Sequence, residues 1–379
     1  MFSKIKNAAS ESGKKIHSVS CMKCGDNVKI VIRTLGRAYN ARLVTGGRIF
    51  ADSFNVEEPF DRNTHVFYVP QGLLREDTPL KFEAGKSKKS KKAYPYYFKF
   101  GTPVYPTDEK LINEYDNGLR VLYTESESPA DGVEYIHTVY NDKRGAAVHT
   151  FTLKLSPGKA GIYVGTPDDG YESVNVRATI PDMINSAVKN GHNIVSAVNA
   201  DFFDMFGDHH PSGLCVKNGK TVANPESPRP FIAALRNGGH VITDRAESPD
   251  ILPDILHAAA GMQMIVKDGK IYDYAPLEPF GFTRHPRTAA GTAKDGTVIL
   301  TVVDGRIPDH SNGASLVDLA KLMIENGADR AINLDGGGSS AVYTKKDGCF
   351  ILRSRPADLV RPNAMLIRKD FNSLLVEIR

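Results

Sequence analysis

The stretch ADRAINLDGGGSSAVY, residues 328–343, shapes the interpretation of the whole chain. Its apolar run AINL (331–334) is too short for a helix and predicts a buried strand. This strand delivers Asp335 to a turn of three glycines, Gly336, Gly337 and Gly338. Consecutive glycines cost backbone entropy, so we expect them where φ angles are closed to other residues or where a ligand approaches the backbone.

The glycine turn is followed by two hydroxyls, Ser339 and Ser340. An acid at the mouth of such a turn, with bare N–H groups and hydroxyls after it, suits a phosphate-bearing substrate. The alternative is a tight structural turn with no ligand. We therefore predict that residues 336–340 bind substrate and that Asp335 takes part in the chemistry.

Three earlier segments extend the pattern: VNADFFD (198–204), PRTAAG (286–291) and VVDGR (302–306). Together with INLDGGGSS (332–340), and in this order, they resemble the motifs of the phosphodiester glycosidases. The resemblance begins near Gly132 and runs through the rest of the chain. It implies a hydrolase that cleaves the glycosidic bond of a sugar-1-phosphodiester, such as N-acetylglucosamine linked to phosphate or a cell-wall or polysaccharide-derived substrate.

Two further acids are catalytic candidates. Asp201 ends an apolar run and is flanked by two phenylalanines, so burial would raise its pKa and suit it to general-acid work. The alternative for Asp201 is a turn cap. Asp304 precedes a glycine and can equally belong to a hairpin turn, but the resemblance places it toward the site.

Four polar residues are candidates for substrate binding. The planar guanidinium of Arg287 matches two phosphate oxygens, which makes it the first choice for phosphate recognition, and Thr288 adds a hydroxyl. Asn199 can offer an amide to a sugar hydroxyl or to the phosphate, and Arg306 is a second-rank cation. For Arg287 the alternative is a surface arginine between strands.

The leaving group sets the expected mechanism. A phosphate monoester departs as a stable anion. Cleavage between C1 and oxygen therefore needs cations or N–H groups that stabilise the charge of the departing phosphate, and a carboxylate that activates water or attacks C1. Attack at phosphorus instead would make a phosphodiesterase and call for a divalent cation. Carboxylates near other oxygen ligands could bind Ca²⁺ or Mg²⁺, so a divalent cation remains an alternative. No HxH, HExxH or DxDxDG pattern indicates a dedicated metal site, and no cofactor or metal ligand is therefore assigned.

Composition bounds the partners. The net charge of +4 over 379 residues is too small to indicate nucleic acid, although the basic run at residues 86–92 beside aromatics keeps that reading open. No run approaches the length of a membrane span. The first residues lack the apolar core of a secretory signal, which predicts a cytoplasmic protein, or a secreted one if a leader preceded this sequence. A binding module for phosphorylated glycans is the non-enzymatic alternative.

The chain predicts two domains. Residues 1–125 read as a small β-rich accessory domain of unknown role, and residues 126–379 as the catalytic domain, with a polar linker at 124–131. Capping boxes at Thr179 and Ser315 predict two helices, and repeated Asn-Gly and Asp-Gly pairs predict hairpins. The predicted fold class is α+β, with a few helices packed on mixed or antiparallel sheets.

Overall fold

The computed structural model describes residues 16–24, 27–34, 39–45, 48–52, 64–70, 79–85, 94–99, 116–205, 207–272, 283–307, 310–361 and 364–379. The chain divides into two compact units, Met1–Glu114 and Tyr115–Arg379. The basic run at residues 86–92 lies outside the described residues. Among the residues described, no helix is long and apolar enough to cross a membrane.

The described part of the first unit consists of strands. They are β1 (Ile16–Cys24), β2 (Asn27–Thr34), β3 (Tyr39–Thr45), β4 (Arg48–Asp52), β5 (Thr64–Pro70), β6 (Pro79–Gly85) and β7 (Tyr94–Lys99). One sheet has the order β1-β2-β5 and the other β4-β3-β6-β7. Ile30, Ile32, Leu43, Phe67 and Phe82 are fully buried. The accessory role of this unit stays a prediction.

The second unit contains twenty strands among its described residues. They are β8 (Arg120–Ala130), β9 (Val133–Asn141), β10 (Ala147–Leu155), β11 (Ala160–Gly165), β12 (Ile194–Asn199), β13 (Cys215–Lys217), β14 (Lys220–Ala223), β15 (Phe231–Leu235), β16 (His240–Thr243), β17 (Ile255–Ala260), β18 (Gln263–Lys267), β19 (Lys270–Ile271), β20 (Arg287–Thr292), β21 (Val298–Val303), β22 (Arg330–Leu334), β23 (Val342–Lys346), β24 (Cys349–Leu352), β25 (Leu359–Arg361), β26 (Ala364–Met365) and β27 (Ser373–Ile378). An eight-stranded sheet has the order β19-β18-β22-β20-β21-β10-β9-β8. Two five-stranded sheets have the orders β11-β27-β12-β23-β24 and β14-β13-β17-β15-β16, and β25 pairs with β26.

Two α-helices pack on these sheets within the described residues: α1 (Ile180–Lys189) and α2 (Leu316–Glu325). Each begins with the predicted capping box, in which Thr179 or Ser315 accepts a hydrogen bond from the third residue of the helix. The helix α2 packs Leu319 and Met323 against the eight-stranded sheet. All described strand pairs are antiparallel, so the α+β prediction holds with antiparallel sheets and few helices.

The predicted hairpins are present. Asn218 and Gly219 both have positive φ, at 48° and 73°, between β13 and β14. Asp268-Gly269 and Asp347-Gly348 repeat this conformation between β18 and β19 and between β23 and β24.

The predicted linker differs from the structure. Residues 124–131 form most of strand β8 and the turn after it, and the unit boundary lies earlier, after Glu114. The strand β8 lies at the edge of the eight-stranded sheet and is largely exposed along its length. An exposed edge strand carries polar residues at most positions, which is why its sequence resembles a linker.

One hydrophobic core joins the three large sheets and positions the candidate site. It includes Leu153 of β10, Val198 of β12, Ile232 of β15, Leu334 of β22 and Leu374 of β27. This packing brings the ends of β12 and β22 together, where the Asp335 N–H donates to the carbonyl of Ala200 at 2.9 Å. The segments that carry Asp201 and Asp335 are therefore adjacent.

Candidate functional site

The three glycines after Asp335 are required for three different reasons. A Cβ on Gly336 would lie 2.8 Å from the carbonyl oxygen of Pro286. Gly337 has a φ of +64°, which side-chain-bearing residues rarely adopt. A Cβ on Gly338 would lie 2.1 Å from a carboxylate oxygen of Asp358. The turn is therefore wedged between the start of β20 and Asp358, and close packing accounts for its glycines.

The N–H groups of the glycine turn are partly engaged by the protein. Gly336 N–H donates to the Oδ1 atom of Asp335 at 2.8 Å, and Gly337 N–H donates to the carbonyl of Pro286 at 3.0 Å. A phosphate that took up these two donors would have to displace those acceptors. Phosphate binding by residues 336–338 stays a prediction.

A serine hydroxyl bridges two carboxyl groups at the end of β22. Ser339 Oγ lies 2.7 Å from Asp335 Oδ2 and 2.8 Å from Asp370 Oδ1. Ser339 and Asp370 are each 2% exposed, whereas Asp335 keeps partial contact with solvent. Asp335 is thus the member of this pair that a substrate can reach.

The bridge fixes where the protons lie. One hydroxyl can donate to only one carboxyl, so the second contact requires a proton from the other acid. Burial raises the pKa of Asp370 well above its usual range, and the neighbouring Asp335 charge raises it further. Burial also raises the pKa of Asp335, to about 6, against the opposing hydrogen bond from Ser339. At neutral pH we therefore assign the proton to Asp370 and the negative charge to Asp335.

Two arginines flank this acid pair. Arg368 donates through Nη1 to Ser339 Oγ at 3.3 Å, and through Nε and Nη2 to Asp358 Oδ2 at 2.9 and 2.7 Å. The charges of Arg368 and Arg306 both lower the pKa of Asp335, although burial outweighs them. The pair therefore combines a carboxylate with cations that can hold a leaving phosphate.

Arg306 is held by a neutral histidine. Its Nε and Nη2 atoms donate to His285 Nδ1 at 3.2 and 3.0 Å, so the His285 proton sits on Nε2, facing Thr283 Oγ1 at 2.7 Å. Burial lowers the pKa of His285 to about 3, with Arg287 and Arg306 adding to the effect. Arg306 is exposed and has a φ of +61°, an uncommon conformation for arginine that clusters at functional sites. Because its partner here is neutral, His285 does not cancel its charge.

Arg287 occupies a more interior position than Arg306. It is 7% exposed and donates through Nε to the carbonyl of Ala314 at 3.1 Å and through Nη2 to that of Thr283 at 2.9 Å. These bonds tie together two loops around His285. Its predicted contact with phosphate stays a prediction.

The other predicted binding residues form a buried network. Thr288 Oγ1 lies 2.7 Å from Asn199 Oδ1 and 3.3 Å from Ser340 Oγ. Asn199 Nδ2 donates to the carbonyl of Asp335 at 2.7 Å. All three side chains are buried, so the network holds β12, β20 and the glycine turn in register and fixes the backbone of Asp335.

The remaining two acids, Asp201 and Asp304, are tied to other partners. Asp201 is fully buried, exchanges two hydrogen bonds with Asn372 at 2.9 and 3.1 Å, and has its pKa raised well above the usual range by burial, with the Asp335 charge adding to this. Asp304 accepts the Arg355 N–H at 2.9 Å and contacts His310 Nε2 at 2.7 Å. Catalytic roles for both stay predictions.

Asp370, Arg368, Asp358 and His285 were not found from the sequence. Asp370 and Arg368 lie in the segment RKDFN, which has no glycine turn and no recognisable spacing relative to Asp335. Gly338 is the one local sequence signal for these residues, because a glycine is needed where the Asp358 carboxylate packs against the turn. Within the described part of the chain, no three His, Cys, Asp or Glu side chains are placed to hold a metal ion, and a divalent cation stays a prediction.

Comparison with known proteins shows which family part of the chain resembles. Residues 192–368, which contain Asp201, Asp304 and Asp335, match the family model described as phosphodiester glycosidase. This segment, just under half of the chain, is therefore similar to the phosphodiester glycosidases. The chain is 26% identical over 203 residues to mouse N-acetylglucosamine-1-phosphodiester alpha-N-acetylglucosaminidase, covering 49% of this chain and 37% of that protein. The match thus spans little more than a third of the mouse protein.

Two other proteins are similar to parts of this chain. An SPbeta prophage-derived uncharacterised protein of Bacillus subtilis is 44% identical over 68 residues, covering 18% of this chain and 10% of that protein. The solved catalytic domain of the zebrafish N-acetylglucosamine-1-phosphodiester alpha-N-acetylglucosaminidase, auto-inhibited by its pro-peptide, superposes with a TM-score of 0.53 at 20% identity. That superposition covers 68% of this chain and 88% of the zebrafish chain, so the superposed part of this chain shares the fold of that domain.

Proposed function

We propose that this protein is a hydrolase that cleaves the glycosidic bond of a sugar-1-phosphodiester. The observation that carries the proposal is the pair Asp335 and Asp370 joined through Ser339 Oγ, with Arg368 on the same hydroxyl and Arg306 acting on the same carboxylate. A carboxylate next to cations is what departure of a phosphate from C1 requires.

In the proposed reaction Asp335 is the acting carboxylate. It takes a proton from a water molecule that attacks C1, or it attacks C1 itself and forms a glycosyl-enzyme that water then hydrolyses; on either route the C1–O bond breaks and the phosphate departs. The phosphate monoester leaves as an anion beside Arg306 and Arg368 and therefore needs little protonation. Asp370 keeps its proton and, through Ser339, orients Asp335 toward the solvent-facing side.

The sugar is proposed to be N-acetylglucosamine or a related sugar, from the names of the mouse and zebrafish relatives. A screen of the purified full chain against sugar-1-phosphodiesters, with and without EDTA, tests the proposal. Release of free sugar that persists in EDTA is the expected result. Binding without turnover would favour a module for phosphorylated glycans, and turnover abolished by EDTA would favour a metal-dependent phosphodiesterase.

A further inference from the structure

A cavity of about 310 Å³ adjoins the strand that leads to Asp335. It lies between the turn Pro228-Arg229-Pro230 and strand β18. In β18, Gln263 N–H donates to Asn333 Oδ1 at 3.2 Å, and Asn333 lies two residues before Asp335. The cavity is therefore one strand away from β22, and no residue of the proposed catalytic pair lines it.

Arg229 lines the cavity with a guanidinium that lacks a hydrogen-bond acceptor. Its guanidinium has no hydrogen bond or ion pair with any described residue, and its backbone N–H donates to Ser227 Oγ. Burial lowers the pKa of Arg229, and the charge of Asp201 opposes this. Asp201 directs its side-chain hydrogen bond to Asn372 and accepts none from the Arg229 guanidinium.

The cost of this arrangement points to a ligand. A half-buried guanidinium without acceptors loses hydration and gains nothing in return. Prolines on both sides restrict the backbone at Arg229 and keep it at the cavity. The side-chain Nε2 of Gln263, in the same wall, is buried and also has no acceptor. The cavity thus presents two kinds of donor that only an acceptor from outside the described chain can satisfy.

The acids of the cavity are already satisfied. Glu247 accepts hydrogen bonds from Lys267 and Arg330, one on each carboxylate oxygen. Asp244 Oδ1 accepts the N–H groups of Ala246 and Glu247 at 2.9 and 2.8 Å. Among the charged side chains of the cavity wall, Arg229 is the one whose charged group has no hydrogen-bond partner among the described residues.

The rest of the wall is apolar. Pro230, Met264 and Tyr272 line it, and together they suit the C–H face of a pyranose ring. The volume lies at the lower end of the range for small-molecule pockets, about 300–1,000 Å³, which fits a ligand the size of a monosaccharide.

We propose that this cavity binds an anionic saccharide unit, with the carboxylate or phosphate of the sugar on Arg229 and Gln263. The choice of a saccharide rests on the proposed hydrolase function, whereas capture of an anion by Arg229 does not. A glycan substrate would then be recognised at two places, its phosphodiester beside Asp335 and a charged sugar in this cavity.

Calorimetric titration of the full chain tests the proposal without turnover. The probes are glucuronate, glucose 6-phosphate and the neutral methyl glucoside, and the variants are Arg229→Gln, Arg229→Lys and the control Arg236→Gln. Arg236 is an exposed arginine whose Nε donates to the carbonyl of Pro253. Because Arg229 has no side-chain partner to lose, Arg229→Gln should melt at or above the wild-type temperature.

The expected result is binding of at least one anionic sugar, with the methyl glucoside weaker by about tenfold or more. Arg229→Gln should lose about tenfold or more in affinity, Arg229→Lys less, and Arg236→Gln nothing. Glucuronate and glucose 6-phosphate separate carboxylate from phosphate as the preferred anion. Equal binding of the neutral sugar, full affinity in Arg229→Gln, or no binding of either anionic sugar would overturn the proposal. Binding of an anionic sugar at Arg229 would remain valid even if the protein did not hydrolyse sugar-1-phosphodiesters.

Discussion

Asp335 and Asp370 share one hydroxyl, that of Ser339, which lies 2.7 Å from the first carboxyl and 2.8 Å from the second. The shared hydroxyl makes the two acids unequal, because it can donate to only one of them. The buried Asp370 keeps the proton, and Asp335, which touches solvent, takes the charge. This division supplies a carboxylate for attack and an internal acid that orients it.

Ser339→Ala should shift the pH dependence of hydrolysis. The hydroxyl stabilises ionised Asp335, so its loss raises the pKa of Asp335 above the value of about 6. The rate requires ionised Asp335 and should therefore fall more at pH 5.5 than at pH 8. A pH profile of kcat/KM measures this, with the exposed Ser128→Ala as the control. An acid limb unchanged in Ser339→Ala would contradict the role of the bridge.

Asp370→Asn should reduce the dependence of stability on pH. A carboxyl with a raised folded-state pKa binds more protons in the folded than in the unfolded state. It therefore lowers the free energy of unfolding as pH rises above the unfolded pKa of 3.8. An amide cannot ionise, so the variant should lose less stability than wild type between pH 5 and pH 7.5. Denaturant unfolding at both pH values measures it, and equal losses would show that Asp370 is ionised in the folded protein.

Arg306 and Arg287 should separate into a binding and a structural role. Arg306→Gln removes an exposed cation, so kcat/KM should fall by an amount that corresponds to a loss of about 1.5–3 kcal/mol in transition-state stabilisation. The melting temperature should change little. Arg287→Gln leaves the carbonyls of Ala314 and Thr283 without their donors and should mainly lower the melting temperature. Kinetics and melting of both variants decide the matter. The opposite pattern would return phosphate recognition to Arg287.

The first residue of the second unit can be tested by truncation. A chain that starts at Tyr115 keeps all of β8, whereas one that starts at Ser126 cuts the strand and leaves one edge of β9 largely unpaired, although β9 still pairs with β10. We expect the longer form to melt at a higher temperature than the shorter form. Thermal melting of both checks this. Identical melting would mean that residues 115–125 contribute nothing to the second unit.

Local sequence signals predicted the helices, the hairpins and the position of Asp335 at the end of a buried strand. Capping boxes and Asn-Gly or Asp-Gly turns act within four residues of the chain, so the sequence alone contains their cause. The motif around Asp335 likewise combines a strand, an acid and a glycine turn in one short segment.

The partners of Asp335 were not predictable in the same way. Asp370 and Arg368 reach it only because the core joins β27 and β12 in one sheet and brings the ends of β12 and β22 together. The sequence ranks Arg287 above Arg306 without information on burial, which depends on the packing of distant loops, and that ranking stays a prediction. The edge strand β8 resembled a linker because most of its residues are exposed, and exposed positions of a strand are polar just as linker residues are.

We propose that Asp335 drives cleavage at C1 and not at phosphorus. Hydrolysis of an N-acetylglucosamine-1-phosphodiester in ¹⁸O-labelled water distinguishes the two sites of attack, with wild type and Asp335→Asn side by side. We expect ¹⁸O in the C1 hydroxyl of the released sugar and a rate about a hundredfold or more lower for the folded variant. Label in the phosphate, or an Asp335→Asn rate within about threefold of wild type, would contradict it.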